Sequence, residues 1–199
     1  MSVLHTLTST ETLLQDIKKS RFLAQTAPID DPANALAFVS QVGDPLATHN
    51  CWAYRIGQQY RFSDDGEPGG TAGRPILQAI EGQGFDRIVV VVTRWYGGIK
   101  LGAGGLARAY GGCAAECLRL AERTPIIDMV DIRVSFDFSI LATLQARLRD
   151  YSAEKIDERF DAQGVQLHMR LPRDRFDAFS EHFRDLTRGR GTIEASRAP

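Results

Sequence analysis

Apolar residues along the chain recur with two periods, two and about 3.6, and the switches between them predict an alternation of strands and helices. Thr12–Ile17 and Arg21–Thr26 read as strands, and the polar Lys18-Lys19-Ser20 between them predicts a hairpin. Asp30 and Asp31 precede Pro32, and apolar positions at Ala35, Leu36, Phe38, Val39 and Val42 then predict a capped amphipathic helix ending at Gly43. A strand over Cys51–Ile56, a turn at Gly57 and a short strand over Tyr60–Phe62 follow. Residues 63–75 hold too many glycines and prolines for a regular element and read as a long loop. Long loops inside compact domains are usually functional.

A short helix over Ile76–Glu81 leads into Arg87–Thr93, whose unbroken Ile-Val-Val-Val-Val run predicts a central strand buried on both faces. A second glycine-rich loop, Trp95–Gly105, runs into a helix over Leu106–Ala121. Gly111 and Gly112 lower that helix's propensity by about 1 kcal/mol each relative to Ala, and close approach to the sheet is the expected reason. Glu122-Arg123-Thr124-Pro125 breaks the pattern and reads as a linker, so the expected domains are 1–124 and 125–199. Beyond it come strand Val130–Phe138, helix Ile140–Tyr151, strand Glu154–Phe160, a turn at Gln163-Gly164, strand Val165–Leu171, helix Arg173–Thr187 and strand Gly191–Ala195. That βαββαβ order is the ferredoxin-like signature, and the fold class of the whole is α+β.

Composition narrows the function classes. With 43% hydrophobic and 25% charged residues the chain can bury a core and is not a disordered segment. A formal net charge of −1 leaves no global field to draw it onto nucleic acid or an anionic membrane, so any polyanion site must be local. The longest apolar run, Ile88 to Val92, is far below the roughly 20 residues a membrane helix needs, so no membrane partner is expected. Three cysteines, Cys51, Cys113 and Cys117, and no signal-peptide pattern predict a reduced, cytoplasmic setting.

The strongest chemical signal is the pair of glycine-rich loops, because glycines expose backbone N–H groups and aim them at an anion where a loop opens a helix. Gly97, Gly98, Gly102, Gly104 and Gly105 lie in the second loop, and Arg74, Arg94, Lys100 and Arg108 sit in or beside the two. Together they predict a pocket for phosphate or an RNA backbone, with Trp95 and Tyr96 as stacking platforms for unpaired bases. In the plainer reading the glycines serve turns while the cations pair with Asp64, Asp65 and Glu67. Those three acids form a candidate acidic loop that could hold Mg²⁺ or act as acid and base.

Gly102-Ala103-Gly104-Gly105-Leu106-Ala107 matches G-x-G-x-x-A, but Trp95–Leu101 separates it from its strand and no ribose-binding acid follows at a strand end. No P-loop occurs, and no cofactor is expected. His49 and Cys51 share one strand face and Cys113 and Cys117 one helix face, a conceivable zinc set whose spacing fits no familiar finger. A Cys51–His49 nucleophile pair lacks an orienting third group. No metal is therefore expected.

Four ordered motifs carry a family resemblance: Lys18-Lys19-Ser20-Arg21-Phe22, His49-Asn50-Cys51-Trp52-Ala53-Tyr54-Arg55, Ser63 through Pro75, and Arg94 through Leu106. Through them the chain resembles the IMPACT/YigZ family. The resemblance implies an N-terminal domain with the fold of the second domain of a small-subunit ribosomal protein, shared with elongation factor G domain IV. It also implies a ferredoxin-like C-terminal domain similar to elongation factor G domain V. Eukaryotic relatives are linked to translational control through competition for a co-activator of the general-control kinase, and carry a separate N-terminal partner-binding domain. This chain starts at the shared domain, which is expected to separate it from that kinase pathway. The same N-terminal fold occurs in galactokinase/homoserine kinase/mevalonate kinase enzymes, whose Ser-Ser-Ala continuation is replaced here by Leu106-Ala107-Arg108.

The family supplies no catalytic residues, and the leading expectation is a non-catalytic RNA- or ribosome-associated factor in translational regulation. An enzyme on a phosphorylated or nucleotide substrate and a protein–protein regulator, with a protein of the translation machinery as partner, are the alternatives. Oligomeric state is not specified by the sequence.

Overall fold

In the computed structural model, which describes residues 3–197, the first unit (1–126) carries ten elements. They are β1 (His5–Leu7), β2 (Glu11–Ile17), β3 (Ser20–Pro28), α1 (Pro32–Val42), β4 (His49–Ile56), β5 (Gln59–Ser63), α2 (Gly73–Gly82), β6 (Ile88–Trp95), α3 (Ala103–Leu120) and β7 (Arg123–Pro125). Five of the strands form one antiparallel sheet in the order β2-β3-β6-β4-β5, so β6 is central. Its continuous apolar run serves two cores. Ile88, Val90 and Val92 face α2 and α3 with Phe22, Ile76, Ile80, Tyr110 and Cys113, while Val89 and Val91 face the α1 side with Ala35 and Tyr54. Burial on both faces is what removes the polar half of the usual strand alternation.

Local chemistry sets the helix starts. The Asp31 carboxylate accepts the Asn34 N–H at 2.8 Å and Pro32 occupies the first turn of α1, where its missing N–H costs nothing. Helix α2 begins at Gly73, three residues before the expected start, because Pro75 is tolerated in a first turn and the Asp64 carboxylate accepts the N–H groups of Ala72 and Gly73. Gly111 is explained by a neighbouring helix rather than by the sheet: a Cβ there would lie 3.3 Å from Pro75 Cβ at the start of α2. Nothing in the structure requires Gly112. The expected linker is also corrected. Arg123–Pro125 is β7, paired antiparallel with β1 through His5↔Pro125 and Leu7↔Arg123, and three-residue strands are too short to show a period in sequence.

The second unit (127–199) contains β8 (Met129–Phe136), α4 (Leu141–Arg147), β9 (Glu154–Asp161), β10 (Gly164–Pro172), α5 (Phe176–Leu186) and β11 (Thr192–Arg197). Its sheet is antiparallel in the order β11-β8-β10-β9. Ile132, Val134, Leu167 and Met169 pack with Leu144, Phe179 and Phe183 in a core of its own. The helix expected over Ile140–Tyr151 is a seven-residue α-helix flanked by 3₁₀ turns, the first held by Asp137 accepting the Ser139 N–H. No described helix is long and apolar enough to cross a membrane.

The α1 cap provides a test of these local rules. Asp31→Ala should lower the stability of the first unit by about 1 kcal/mol, read from urea denaturation, and Asp31→Asn should retain most of it.

Candidate functional site

The last inward position of β6 is not apolar. Arg94 continues the column Ile88, Val90, Val92, and lies opposite Phe22 on β3 and His49 on β4. Only 4% exposed, its guanidinium donates to Glu67 Oε1 at 2.6 Å and to Ser20 Oγ at 3.3 Å. Glu67 comes from the 63–75 loop, is itself 8% exposed, and also accepts the Tyr110 hydroxyl of α3 at 2.7 Å. The phenol of Tyr110 is pushed up by burial first, with the neighbouring Cys51 thiol and Glu67 adding to the shift, so it stays a donor. One carboxylate thus ties a loop, the central strand and a helix together.

This arrangement revises the expected site. Arg94 is not an accessible cation, because its charge is already matched by Glu67 beneath the loops. The acidic loop is likewise committed. Asp64 accepts the N–H groups of Gly70, Ala72 and Gly73 at 2.8, 3.0 and 2.8 Å. Burial alone would raise its carboxyl, but those three donors outweigh burial and hold it below the ordinary aspartate range. Asp65, at φ 41°, accepts the Asn50 N–H with its carboxylate, and its carbonyl accepts His49 Nδ1–H at 2.7 Å. Among the described residues no group of three or more His, Cys, Asp and Glu side chains is arranged to hold a metal ion.

The cysteines are core residues. Cys51, Cys113 and Cys117 are buried, and their thiols reach the carbonyls of Asp64, Phe22 and Ala24. Burial pushes the thiols of Cys51 and Cys117 up to about 12 and that of Cys113 to about 11, so none is a thiolate nucleophile at neutral pH.

On the surface the structure brings together residues that sequence spacing kept apart. A Cβ on Gly97 would fall 1.8 Å from the Lys19 carbonyl oxygen, so the second glycine loop lies directly on the turn between β2 and β3. Gly97 N–H and the Arg94 guanidinium share Ser20 Oγ as acceptor. Lys18, Lys19, Arg21 and Lys100 are all exposed around this contact, and none is in an ion pair among the described residues. Arg21 covers the Trp95 ring at 4.3 Å while the indole N–H donates to Asp44, so Trp95 is an anchored platform rather than a free one. Tyr96 is 44% exposed and Gly98 is open beside it.

In sequence Lys18, Lys19 and Arg21 read as a hairpin turn, the start of a strand and part of a family motif, and nothing there points to Gly97. Their backbone does carry a signal. Ile17 pairs with Ser20, leaving a two-residue turn with φ of 45° at Lys18 and 67° at Lys19. Such turns favour Asn-Gly, and a pair of lysines there is strained, with neither side chain in an ion pair among the described residues.

Further along, Gly102 stands at the N-terminus of α3 with φ 73° and no side chain caps it. The first-turn amides of Ala103, Gly104 and Gly105 therefore keep no side-chain acceptor, whereas the amides of Ala72 and Gly73 at the start of α2 are taken by Asp64. Arg74 and Arg108 are exposed without ion pairs among the described residues, and Arg108 lies one turn before Gly111, the glycine that meets Pro75. The expected double cradle of main-chain amides is thus reduced to one, at α3.

Residues 18–118 match the Impact N-terminal domain, and residues 134–190 match a domain of unknown function, DUF1949. A protein of Thermus thermophilus described as an IMPACT family member is 48% identical over 89% of this chain and 99% of its own length. The chain belongs to the IMPACT family. The IMPACT family member YigZ of Escherichia coli is 38% identical over 89% of this chain and 90% of its own. A crystal structure of a hypothetical protein, 35% identical, covers both chains fully with a TM-score of 0.69, in keeping with the mixed α and β architecture. The IMPACT match in the first unit spans the turn at Lys18, the Glu67 loop, Arg94 and Tyr110.

Two measurements probe the interior of the site. Glu67→Gln should cost about 3–5 kcal/mol of unfolding free energy because it leaves a buried guanidinium unpaired. The double variant Glu67→Met/Arg94→Met should cost less than the two single changes combined, a coupling that urea titrations of all four proteins would read. The lowered Asp64 carboxyl contributes stability that is fully present above the ordinary aspartate value of about 3.9 and is lost as pH falls through its depressed native value. Asp64→Asn should therefore flatten the acid side of the stability profile measured between neutral pH and pH ~2.

Proposed function

We propose that this IMPACT family protein is a non-catalytic, RNA- or ribosome-associated factor in translational regulation, and that it contacts RNA phosphates through the first unit. The observation that carries the reading is the group of exposed cations Lys18, Lys19, Arg21 and Lys100, none in an ion pair among the described residues, around the Gly97–Lys19 contact, with the partly exposed Tyr96 ring, which Arg94 covers from within, among them. Phosphate contacts favour cations that no carboxylate already neutralises. The uncapped N-terminus of α3 at Gly102, Gly104 and Gly105, with Arg108 beside it, adds backbone amides of the kind that receive anions. Arg74 lies at the start of α2, next to the Pro75–Gly111 contact with α3.

The reading agrees with the elongation-factor-like domains that the family resemblance implies, a fold-level analogy that alone proves no function. Three free thiols fit a cytoplasmic setting, where translation occurs. Arg94 enters as the residue that holds the second loop in place rather than as a phosphate ligand.

Salt dependence is the discriminating measurement. Replacing Lys18, Lys19 and Lys100 together by Ala should reduce the slope of log affinity for single-stranded RNA against log salt by about 2, from roughly 0.7 per lost phosphate contact. An unchanged slope would remove this surface from the interaction.

A further inference from the structure

The lysine turn has a counterpart in the second unit. Among the described residues six non-glycine residues have positive φ, Lys18, Lys19, Asp65, Arg87, Ser152 and Arg188, and four of the six are basic. Left-handed backbone favours Gly, Asn and Asp, so a long cation there breaks a local rule. Such breaks persist where the surrounding backbone holds them in place, and they cluster at functional sites.

Arg188 is the case in the second unit. It sits at φ 52° in the turn after α5, followed by Gly189 at 73°. The turn is firmly held: Arg188 N–H donates to Asp185 O at 3.0 Å, Gly189 N–H to Arg184 O at 2.8 Å, and Arg190 N–H to Thr187 O at 3.1 Å. A Cβ on Gly191 would lie 2.7 Å from the Phe183 ring, so the chain is pinned to the core directly behind the turn. Arg184, Arg188 and Arg190 are exposed, and none makes an ion pair among the described residues.

Carboxylates that bear on the turn are Asp185, whose carbonyl closes it, and Asp137, whose ionised form Arg190 helps to favour after its bonds to Ser139. Arg190 and Asp137 also line a concavity of about 330 Å³ with Ser139 and Gln163.

The outward face of the sheet in this unit is a partial contrast, since Arg133 there is exposed without an ion pair among the described residues. There Arg170 is bidentate to Asp131 at 2.8 and 3.1 Å, and Arg159 binds Asp157 at 2.9 Å, so those guanidinium groups are already matched. The favourable interaction of cations with a helix C-terminus accounts for placing basic residues near the end of α5, but not for choosing the strained position at 188.

We propose that Arg184, Arg188 and Arg190 form a second phosphate-contacting patch, through which the second unit engages the same RNA as the first. This rests on the RNA-binding reading of the first unit and extends it: each unit supplies a rigid turn with unpaired cations, and affinity comes from two weak contacts on one polyanion. Two linked contacts bind far more tightly than either alone when both reach the same strand.

The test uses the full chain and a fluorescently labelled single-stranded RNA, with affinity measured over a range of potassium chloride. Arg184→Ala/Arg188→Ala/Arg190→Ala should lower the salt slope by about 2, independently of the loss caused by the lysine variant. Arg188→Gly alone should weaken RNA binding severalfold while raising the thermal midpoint, a pairing that general destabilisation would not give.

Loss of slope in the lysine variant with none in the arginine variant would overturn the second patch and leave the first reading standing. Loss in the arginine variant alone would support the patch and overturn the site assigned to the first unit. A wild-type chain that binds no RNA would remove both. An arginine variant that keeps its RNA affinity but loses binding to phosphatidylserine vesicles would assign the turn to a membrane surface and overturn the proposal.

Discussion

The contact on which the first unit depends is a carboxylate, Glu67, held under its own loop against the Arg94 guanidinium. Taking two charges out of water costs several kcal/mol per ion, and their attraction recovers this only when geometry is close and the remaining polar atoms are satisfied. Most of the remaining partners are present: Tyr110 and Ser20 bond the pair from α3 and β3 and His49 Nε2 stands 3.7 Å from the carboxylate, while Arg94 Nε–H stays buried without an acceptor. Two apolar residues would fill the same space at lower cost, so stability alone does not account for a charged pair at this position. Directional bonds do. They fix the register of a loop rich in glycine, which has no apolar side chains with which to fix itself.

From that pair outward, each layer positions the next. Ser20 accepts from both the Arg94 guanidinium and the Gly97 amide, so the buried ion pair and the exposed second loop share an anchor. Gly97 then rests on the Lys19 carbonyl at a distance no larger residue allows, and the strained lysine turn is held against the loop that carries Tyr96 and Lys100. The surface cations are therefore mounted on backbone that the core has already ordered. That lowers the conformational cost of using them in binding.

Much of this fold was legible because its signals are local or periodic. The unbroken Val run announced a central strand, Asp31-Pro32 announced a helix start, and alternation at Ile132, Val134 and Phe136 announced the first strand of the second unit. The three-residue strands β1 and β7 were not legible, since no period exists at that length and their pairing spans more than a hundred residues. Among site residues, the sequence identified both loops but not the allegiance of their charges. Arg94 and Lys100 look alike as basic residues in glycine-rich surroundings, yet strand parity sends one inward and the loop leaves the other outside. Only the parity of β6, counted from Ile88, separates them, because Arg94 falls in the buried column with Val90 and Val92. Lys18 and Lys19 were hidden for the opposite reason: their importance lies in a contact with a residue nearly eighty positions away.

Net charge near zero acquires a specific meaning once these pairs are mapped. Where an Arg has a fixed carboxylate beside it, as Arg170 has Asp131 and Arg94 has Glu67, its field is cancelled within a few ångströms. The cations left uncancelled include those on the two tight turns at Lys18-Lys19 and Arg188, and at physiological salt their influence fades beyond about 8 Å. A molecule of this kind is not steered to a polyanion from afar; it responds to one already at its surface. Under the proposed RNA reading, attraction of such short range discriminates by shape, since each rigid turn must find its own phosphate. On that proposal, the balanced composition that argued against a basic nucleic-acid module serves selectivity: it suppresses the indiscriminate binding that a globally basic surface would bring.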